Sequence, residues 1–264
     1  MAKLVSEKRI DSKLCPKILN FNDVGSTNDL ARKYIEEKND IGFAITAEIQ
    51  TAGQGQGGTF WESPRGGLWT SIAIKPTIEL QSIGLIPLLS AISLVKALEK
   101  FNIESTLKWP NDILSSNFKK LGGILVETKV SQFSLNYIII GIGLNTNNKI
   151  AQYSKYLRTK ISTIFEEYKR KINLETLLVE IIQQIEYWIK QIESHGAQII
   201  VETWKNMNNI LGMEVVVQSL DTEYKGKAVD ISPHGYLILE TSHGKRISLS
   251  SGTVILKTMS SEKE

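Results

Sequence analysis

Two charged residues of opposite sign, Asp112 and Lys120, stand in the stretch LKWPNDILSSNFKKLGGILVET (107–128). Asn111 and Asp112 follow directly on Pro110 at a break between two strand-like runs, a place from which side chains point into a cleft. Lys120 returns across the turn at Asn117, so the spacing predicts that Asp112 and Lys120 face each other. A cation and a carboxylate beside a Gly-Gly backbone suit chemistry at a carboxylate or phosphate. The cation offsets developing negative charge, and the carboxylate orients an amine or a metal ion. On residue type alone, the same pair also reads as a surface salt bridge beside an ordinary turn.

A second cluster is the loop TAGQGQGGTFWESPRGG (51–67), whose glycines let backbone approach a ligand and offer N–H donors. No Gly-Lys-Ser/Thr follows, so it is not a Walker loop, and no helix opens after it as a dinucleotide fingerprint requires. Trp61, set among polar residues, needs something planar to pack or stack on. A third cluster, GIGLNTNN (141–148), ends a strand, and there Asn145 either meets a ligand or stops a turn. His195, His234 and His243 fall at a helix end and in turns and form no site. No Cys/His spacing suggests zinc, no other metal site is expected, and there is no Gly-x-Ser-x-Gly elbow.

The elements that must position these clusters read as a mixed α/β fold. GSTNDLARKYIEE (25–37) is a capped helix, GFAITAEIQ (42–50) and LWTSIAIKP (68–76) are strands, and IGLIPLLSAISLVKALEKF (83–101) is apolar nearly all round, a central buried helix. The 107–128 stretch is strand, turn, strand, and SLNYIIIGIGLNTNN (134–148) is another buried strand; hairpins this close exclude a purely parallel sheet. Apolar residues at three- and four-residue spacing predict helix from about 173 to 207. After Gly212, five short strands (MEVVVQSL, EYKGKAVDI, GYLILET, KRISLS, GTVILK) predict a small all-β barrel. The expected division is 1–210 and 211–264, with a polar tail at SSEKE. A net charge of +3 over 264 residues gives no basic face for nucleic acid. The single Cys15, the absence of a signal-like N-terminus and the absence of a run of about 18 apolar residues lead to the expectation of a cytoplasmic protein without a membrane span.

Taken in order, GSTN, QTAGQGQGGTFWESPRGGLWTS, KWPND, KLGGILVE and GIGLN resemble the biotin protein ligases over residues 18 to 257. The resemblance implies a class II synthetase-like biotin/lipoate ligase core with a C-terminal SH3-like barrel. It implies two half-reactions: biotin and ATP, with Mg²⁺, give biotinyl-5′-adenylate and pyrophosphate, and the acyl group passes to one lysine of a biotin carboxyl carrier protein. It places Ser26, Thr27, Gln50, Gly53 and Gln56 around the biotin ring with the Gly122–Gly123 backbone. Trp61 would cover the adenine, with Asn111 and Asn145 on the nucleotide side and Lys108 near phosphate. Lys120 would sit between carboxylate and α-phosphate, and Asp112 would orient, and even deprotonate, the acceptor lysine, whose reference pKa of ~10.4 leaves it mostly protonated at neutral pH.

The chain departs from that pattern where Gln54, Gln56 and Thr59 stand at positions often occupied by arginine, leaving Arg65 nearby. Fewer cations mean fewer charge-assisted phosphate contacts. Some twenty residues precede the core, too few for the winged helix-turn-helix that some members carry, so the expectation is a monofunctional ligase with no DNA partner; the family also includes dimers formed through a sheet edge. A lipoate or octanoate ligase of the same fold, and a catalytically impaired biotin-binding homologue, are the alternatives.

Overall fold

A computed structural model describes residues 2–132, 134–219 and 222–256. The SSEKE tail, Lys257 and Leu220 lie outside these residues. The first sheet runs through β1 (Leu4–Arg9), β2 (Lys17–Val24), β3 (Phe43–Gln50), β4 (Leu68–Ile74), β5 (Ser105–Lys108), β6 (Asp112–Ser115), β7 (Lys120–Ser131) and β8 (Ser134–Leu144). Its spatial order is β1-β2-β3-β4-β8-β7-β6-β5, with β2 and β3 parallel and the other described neighbours antiparallel. The mixed sheet predicted from the hairpin spacing is thus observed.

Period-two alternation assigns the two faces of this sheet. Leu19, Phe21, Phe43, Ile45, Ala47, Ala73, Tyr137 and Ile139 point to one side, where they pack with Ala31 and Ile35 of α1 (Thr27–Lys38). Ile18, Ala44, Ile72, Ile74, Ile138, Ile140 and Ile142 point to the other, into the main core with α2 (Ile86–Lys100). Burial on both faces explains why β8 reads as a nearly continuous apolar run. β4, whose sequence suggests alternation, is buried along its whole length, Thr70 and Ser71 included. Ser26 caps α1, its hydroxyl accepting from the Asp29 N–H, and the left-handed Asn39 ends the helix.

The segment Leu80–Lys100 is in fact long and apolar enough, by composition, to cross a membrane, which corrects the expectation that none is. Here its helix is a core element: Leu88, Leu89, Ile92, Leu94 and Leu98 are buried against the sheet and against α5 (Leu174–His195). Between β8 and α5 lie α3 (Lys155–Arg158) and α4 (Ile164–Tyr168), too short to have left a periodic signal. The helical pattern over 173–207 is two helices, α5 ending at His195 as expected, where Gly196 adopts φ +81° and separates it from α6 (Gln198–Met207). The strands β1 and β2, at one edge of the sheet, carry no turn-bounded apolar alternation strong enough to announce them.

The five C-terminal strands are β9 (Glu214–Ser219), β10 (Thr222–Ile231), β11 (Leu237–Glu240), β12 (Arg246–Leu249) and β13 (Thr253–Leu256). They pair antiparallel in the order β12-β11-β10-β9-β13, so among the described residues the SH3-like sheet curls without closing into a full barrel. A register shift in β10 between Ala228 and Asp230 bends the sheet over its apolar face, while the four-residue strands at its two ends do not pair. Val215, Val217, Ala228, Leu237 and Leu239 belong to the same core as α2.

Candidate active site

The cleft lies where β7 and β8 meet the glycine loop, the start of α1 and the last strand of the C-terminal sheet. Its lining includes Ser26, Thr27, Gln50, Gln56, Trp61, Asn111, Asp112, Lys120 and Gly123, so nine of the residues singled out from the sequence come together. Gly252, Thr253 and Val254 of the C-terminal sheet also reach it.

One end is ionic. Asp112 opens β6 directly opposite Lys108 of β5, and the β6–β7 hairpin brings Lys120 to its other side. Lys108 Nζ stands 2.9 Å from Asp112 Oδ2 and Lys120 Nζ 2.5 Å from Oδ1. Burial by itself would push the Asp112 carboxyl upward; the two ammonium groups outweigh it and hold the pKa below the usual carboxylate range. Asp112 is therefore a permanent anion at neutral pH, and the triad carries one net positive charge.

The middle is a glycine floor. A Cβ on Gly143 would lie 2.6 Å from Trp61 Nε1, and one on Gly123 would lie 3.3 Å from Trp61 Cζ3. The indole thus lies flat against bare backbone, with Lys120 Nζ 5.0 Å from its ring centre. Trp61 Nε1 is buried against Gly143 and has no acceptor among the described residues.

The far end is neutral and polar. Gln50 Oε1 accepts from the Thr27 N–H at 2.8 Å and from the Thr27 hydroxyl at 3.0 Å, and Gln50 Nε2 donates to Ser63 Oγ at 2.9 Å. Asn28, also in the lining, donates to Glu127 Oε2 at 3.1 Å and accepts from the Ser71 hydroxyl. Gly141 must be glycine here, since a Cβ would lie 2.3 Å from Asn28 Oδ1.

Four singled-out residues stand behind the lining. Lys108 reaches the cleft only through Asp112. Gly53 is buried as a loop brace, its carbonyl accepting from Trp61 N–H at 2.9 Å. Gly122 packs under Leu144. Asn145 is buried and committed within the fold: its Nδ2 donates to the Ser162 carbonyl at 3.1 Å and its Oδ1 accepts from Tyr153 hydroxyl at 2.6 Å. Asn28, Ser71 and Glu127 escaped the sequence reading; Asn28 sits in the GSTN motif, while Ser71 and Glu127 are ordinary strand residues until the sheet is assembled.

In the arginine-poor loop, Gln54 donates to Asp29 at 2.9 Å, and Thr59 closes a turn onto the Gln56 carbonyl at 3.0 Å. Arg65 pairs with Glu48 and is not in the lining.

A slot with a polar end, a flat indole and a caged carboxylate suits an enzyme class that activates a carboxylic acid and transfers the acyl group. Residues 22–145 match the biotin/lipoate A/B protein ligase family and residues 210–257 match the biotin protein ligase C-terminal domain. The chain is 31% identical over 229 residues to the bifunctional ligase/repressor BirA of Bacillus subtilis, covering 86% of this chain and 70% of that protein. It is 25% identical over 207 residues to a biotin–[acetyl-CoA-carboxylase] ligase of Paracoccus denitrificans, covering 77% and 86%. The biotin protein ligase of Aquifex aeolicus, solved with biotin and ATP, superposes with a TM-score of 0.76 at 26% identity, covering 91% of this chain and 98% of that one. The chain belongs to the biotin protein ligase family.

Proposed function

We infer that this cleft carries out both halves of the biotin ligase reaction, with residues 1–210 as the catalytic unit and 211–264 as an accessory unit that closes one side. The observation that carries the assignment is the Lys108–Asp112–Lys120 triad set at one end of a slot whose other end is polar and uncharged. Biotin has the matching polarity: a cyclic urea at one end and a carboxylate at the other. In the first half-reaction a biotin carboxylate oxygen attacks the α-phosphorus of ATP. A C–O–P anhydride forms, the bond to pyrophosphate breaks, and pyrophosphate leaves. Lys120, released from Asp112, neutralises charge where carboxylate and phosphate converge. Trp61 supplies a planar wall to the adenylate.

In the second half-reaction the acceptor lysine's amine attacks the acyl carbon, an amide forms and AMP leaves. Asp112 has too low a pKa to store the amine's proton efficiently, so its part is to orient the incoming ammonium, and the proton passes on to solvent. A biotin carboxyl carrier protein is the acceptor. The described residues hold no group of three metal-ligating side chains, so Mg²⁺ would arrive on the triphosphate, held mostly by phosphate and water.

The deciding experiment measures pyrophosphate release from ATP with biotin and then with lipoate, before any carrier protein is added. Biotin-dependent release followed by labelling of a carrier lysine supports the assignment. Release with lipoate alone moves the protein to the lipoate branch, and biotin binding without release makes it an impaired homologue.

A further inference from the structure

Glu127 is not itself in the cleft lining but meets it through Asn28, at the polar, uncharged end. Its carboxylate is bonded to Arg32 Nη2 at 2.8 and 3.0 Å and accepts from Asn28 Nδ2 at 3.1 Å. A carboxylate only accepts, so the Asn28 amide is fixed with its nitrogen toward Glu127 and its oxygen toward Ser71. Ser71, fully buried, has one proton, and it must go to Asn28 Oδ1, because otherwise two lone pairs would face each other at the shorter of its two contacts. Ser71 Oγ then meets Thr27 Oγ1, 2.7 Å away, as an acceptor.

A second wire reaches Thr27 from the other side. The Trp61 carbonyl accepts the Ser63 proton at 3.1 Å, so Ser63 Oγ accepts from Gln50 Nε2, and Gln50 turns its oxygen to Thr27. Both neighbours of the Thr27 hydroxyl therefore arrive as acceptors. Its single proton serves one of them, so the other faces Thr27 Oγ1 with no proton between, and no side chain among these neighbours donates to Thr27, which lines the cleft.

We propose that Glu127 is a positioning residue which, through Asn28 and Ser71, presents Thr27 as an acceptor for an N–H of the biotin urea. This rests on the assignment of biotin as substrate. Glu127→Gln removes the obligate acceptor. Asn28 is then free to rotate, Ser71 redirects its proton to Thr27, and a ligand N–H meets an occupied hydroxyl.

The test is steady-state pyrophosphate release as a function of biotin. Glu127→Gln raises the biotin KM about tenfold, the loss expected for one buried hydrogen bond, and leaves kcat within about threefold. Thr27→Val raises KM similarly, and the double variant Glu127→Gln/Thr27→Val is no worse than Thr27→Val alone, since both act at one oxygen. Arg32→Gln, which takes away the ion pair but keeps the carboxylate, leaves KM within about threefold. A readout free of turnover is the affinity for biotin methylated at both urea nitrogens: the wild type discriminates against it, and Glu127→Gln loses most of that discrimination. Should Glu127→Gln not fold, Asn28→Ala releases the same Ser71 proton and gives the same rise in KM. An unchanged KM in these variants, additive effects in the double variant, or an equal rise in Arg32→Gln would overturn the proposal while leaving the ligase assignment standing. A wild type with no biotin-dependent release would remove both.

Discussion

At the scale of single residues, charge decides most of the chemistry. Lys120 is the cation of the triad that itself lines the cleft, since Lys108 stands behind Asp112 and Arg65 turns to Glu48. Lys120→Ala is therefore expected to cut biotin-dependent pyrophosphate release by at least about 10²–10³-fold, the cost of one well-placed charge-stabilising group. Normal release from that variant would dismiss its role. Asp112→Asn separates the two halves: transfer to the carrier lysine falls on the order of 10²-fold, more than adenylate formation does, and single-turnover kinetics from preformed adenylate reads the difference. The sign of the pH dependence follows from the same group. Its pKa is lower in the folded chain than in the unfolded one, so Asp112 stabilises the fold fully above its unfolded value of ~3.9. That stabilisation is lost as pH falls through the folded value. Acid titration of the wild type and Asp112→Asn should show a difference in slope below about pH 4 and parallel behaviour near neutrality.

The elements impose their own conditions. Strands β7 and β8 form a floor only because Gly123, Gly141 and Gly143 leave it bare, and each glycine admits a different neighbour, Trp61 over two of them and Asn28 over the third. Gly143→Ala has no room beside the indole, so it displaces Trp61 and removes a wall of the cleft. Its signature is a shift in tryptophan emission together with weakened adenylate retention, with melting temperature lowered only modestly because the change faces the cleft rather than the core. Unaltered emission would mean the indole does not lie there. The glycine loop is held to α1 by Gln54 and Asp29, a neutral-to-charged bond in place of the arginine common in the family. A hydrogen bond to a charged group is worth about 1.5–3 kcal/mol when buried and less when exposed, as this one is. The loop thus offers the cleft backbone and Trp61 rather than side-chain charge.

Across the whole molecule, the C-terminal sheet is packed as part of the main core and not merely tethered. Trp109 Nε1, buried beside the strands that carry Lys108, Asp112 and Lys120, donates to the Gly235 carbonyl at 2.9 Å, and Leu237 and Val217 share a continuous core with α2. Cooperative unfolding follows. Leu237→Ala, in the C-terminal sheet, should destabilise the entire chain by about 2–5 kcal/mol, with far-UV circular dichroism and tryptophan emission melting together. Two separated transitions would show that the units fold independently.

Sequence alone determined most of the element types, β1, β2, α3 and α4 excepted, and the pairing of Asp112 with Lys120. The strand runs, the α2 core helix and the five C-terminal strands carry local signals, and Asp112 and Lys120 are joined by a hairpin short enough to be read from spacing. The buried strand GIGLN could be placed, but the partners of Asn145, Ser162 and Tyr153, lie in no motif and appear only in the assembled fold. The helix end at His195 was legible too, whereas tertiary structure decided that the C-terminal sheet stays open among the described residues and that Asn28, Ser71 and Glu127 meet. The physical reason is common to these cases. Local propensity and hydrophobic period act over a few residues, whereas hydrogen-bond polarity at the site is set by α1, β4 and β7, which come together only when the sheet closes its register.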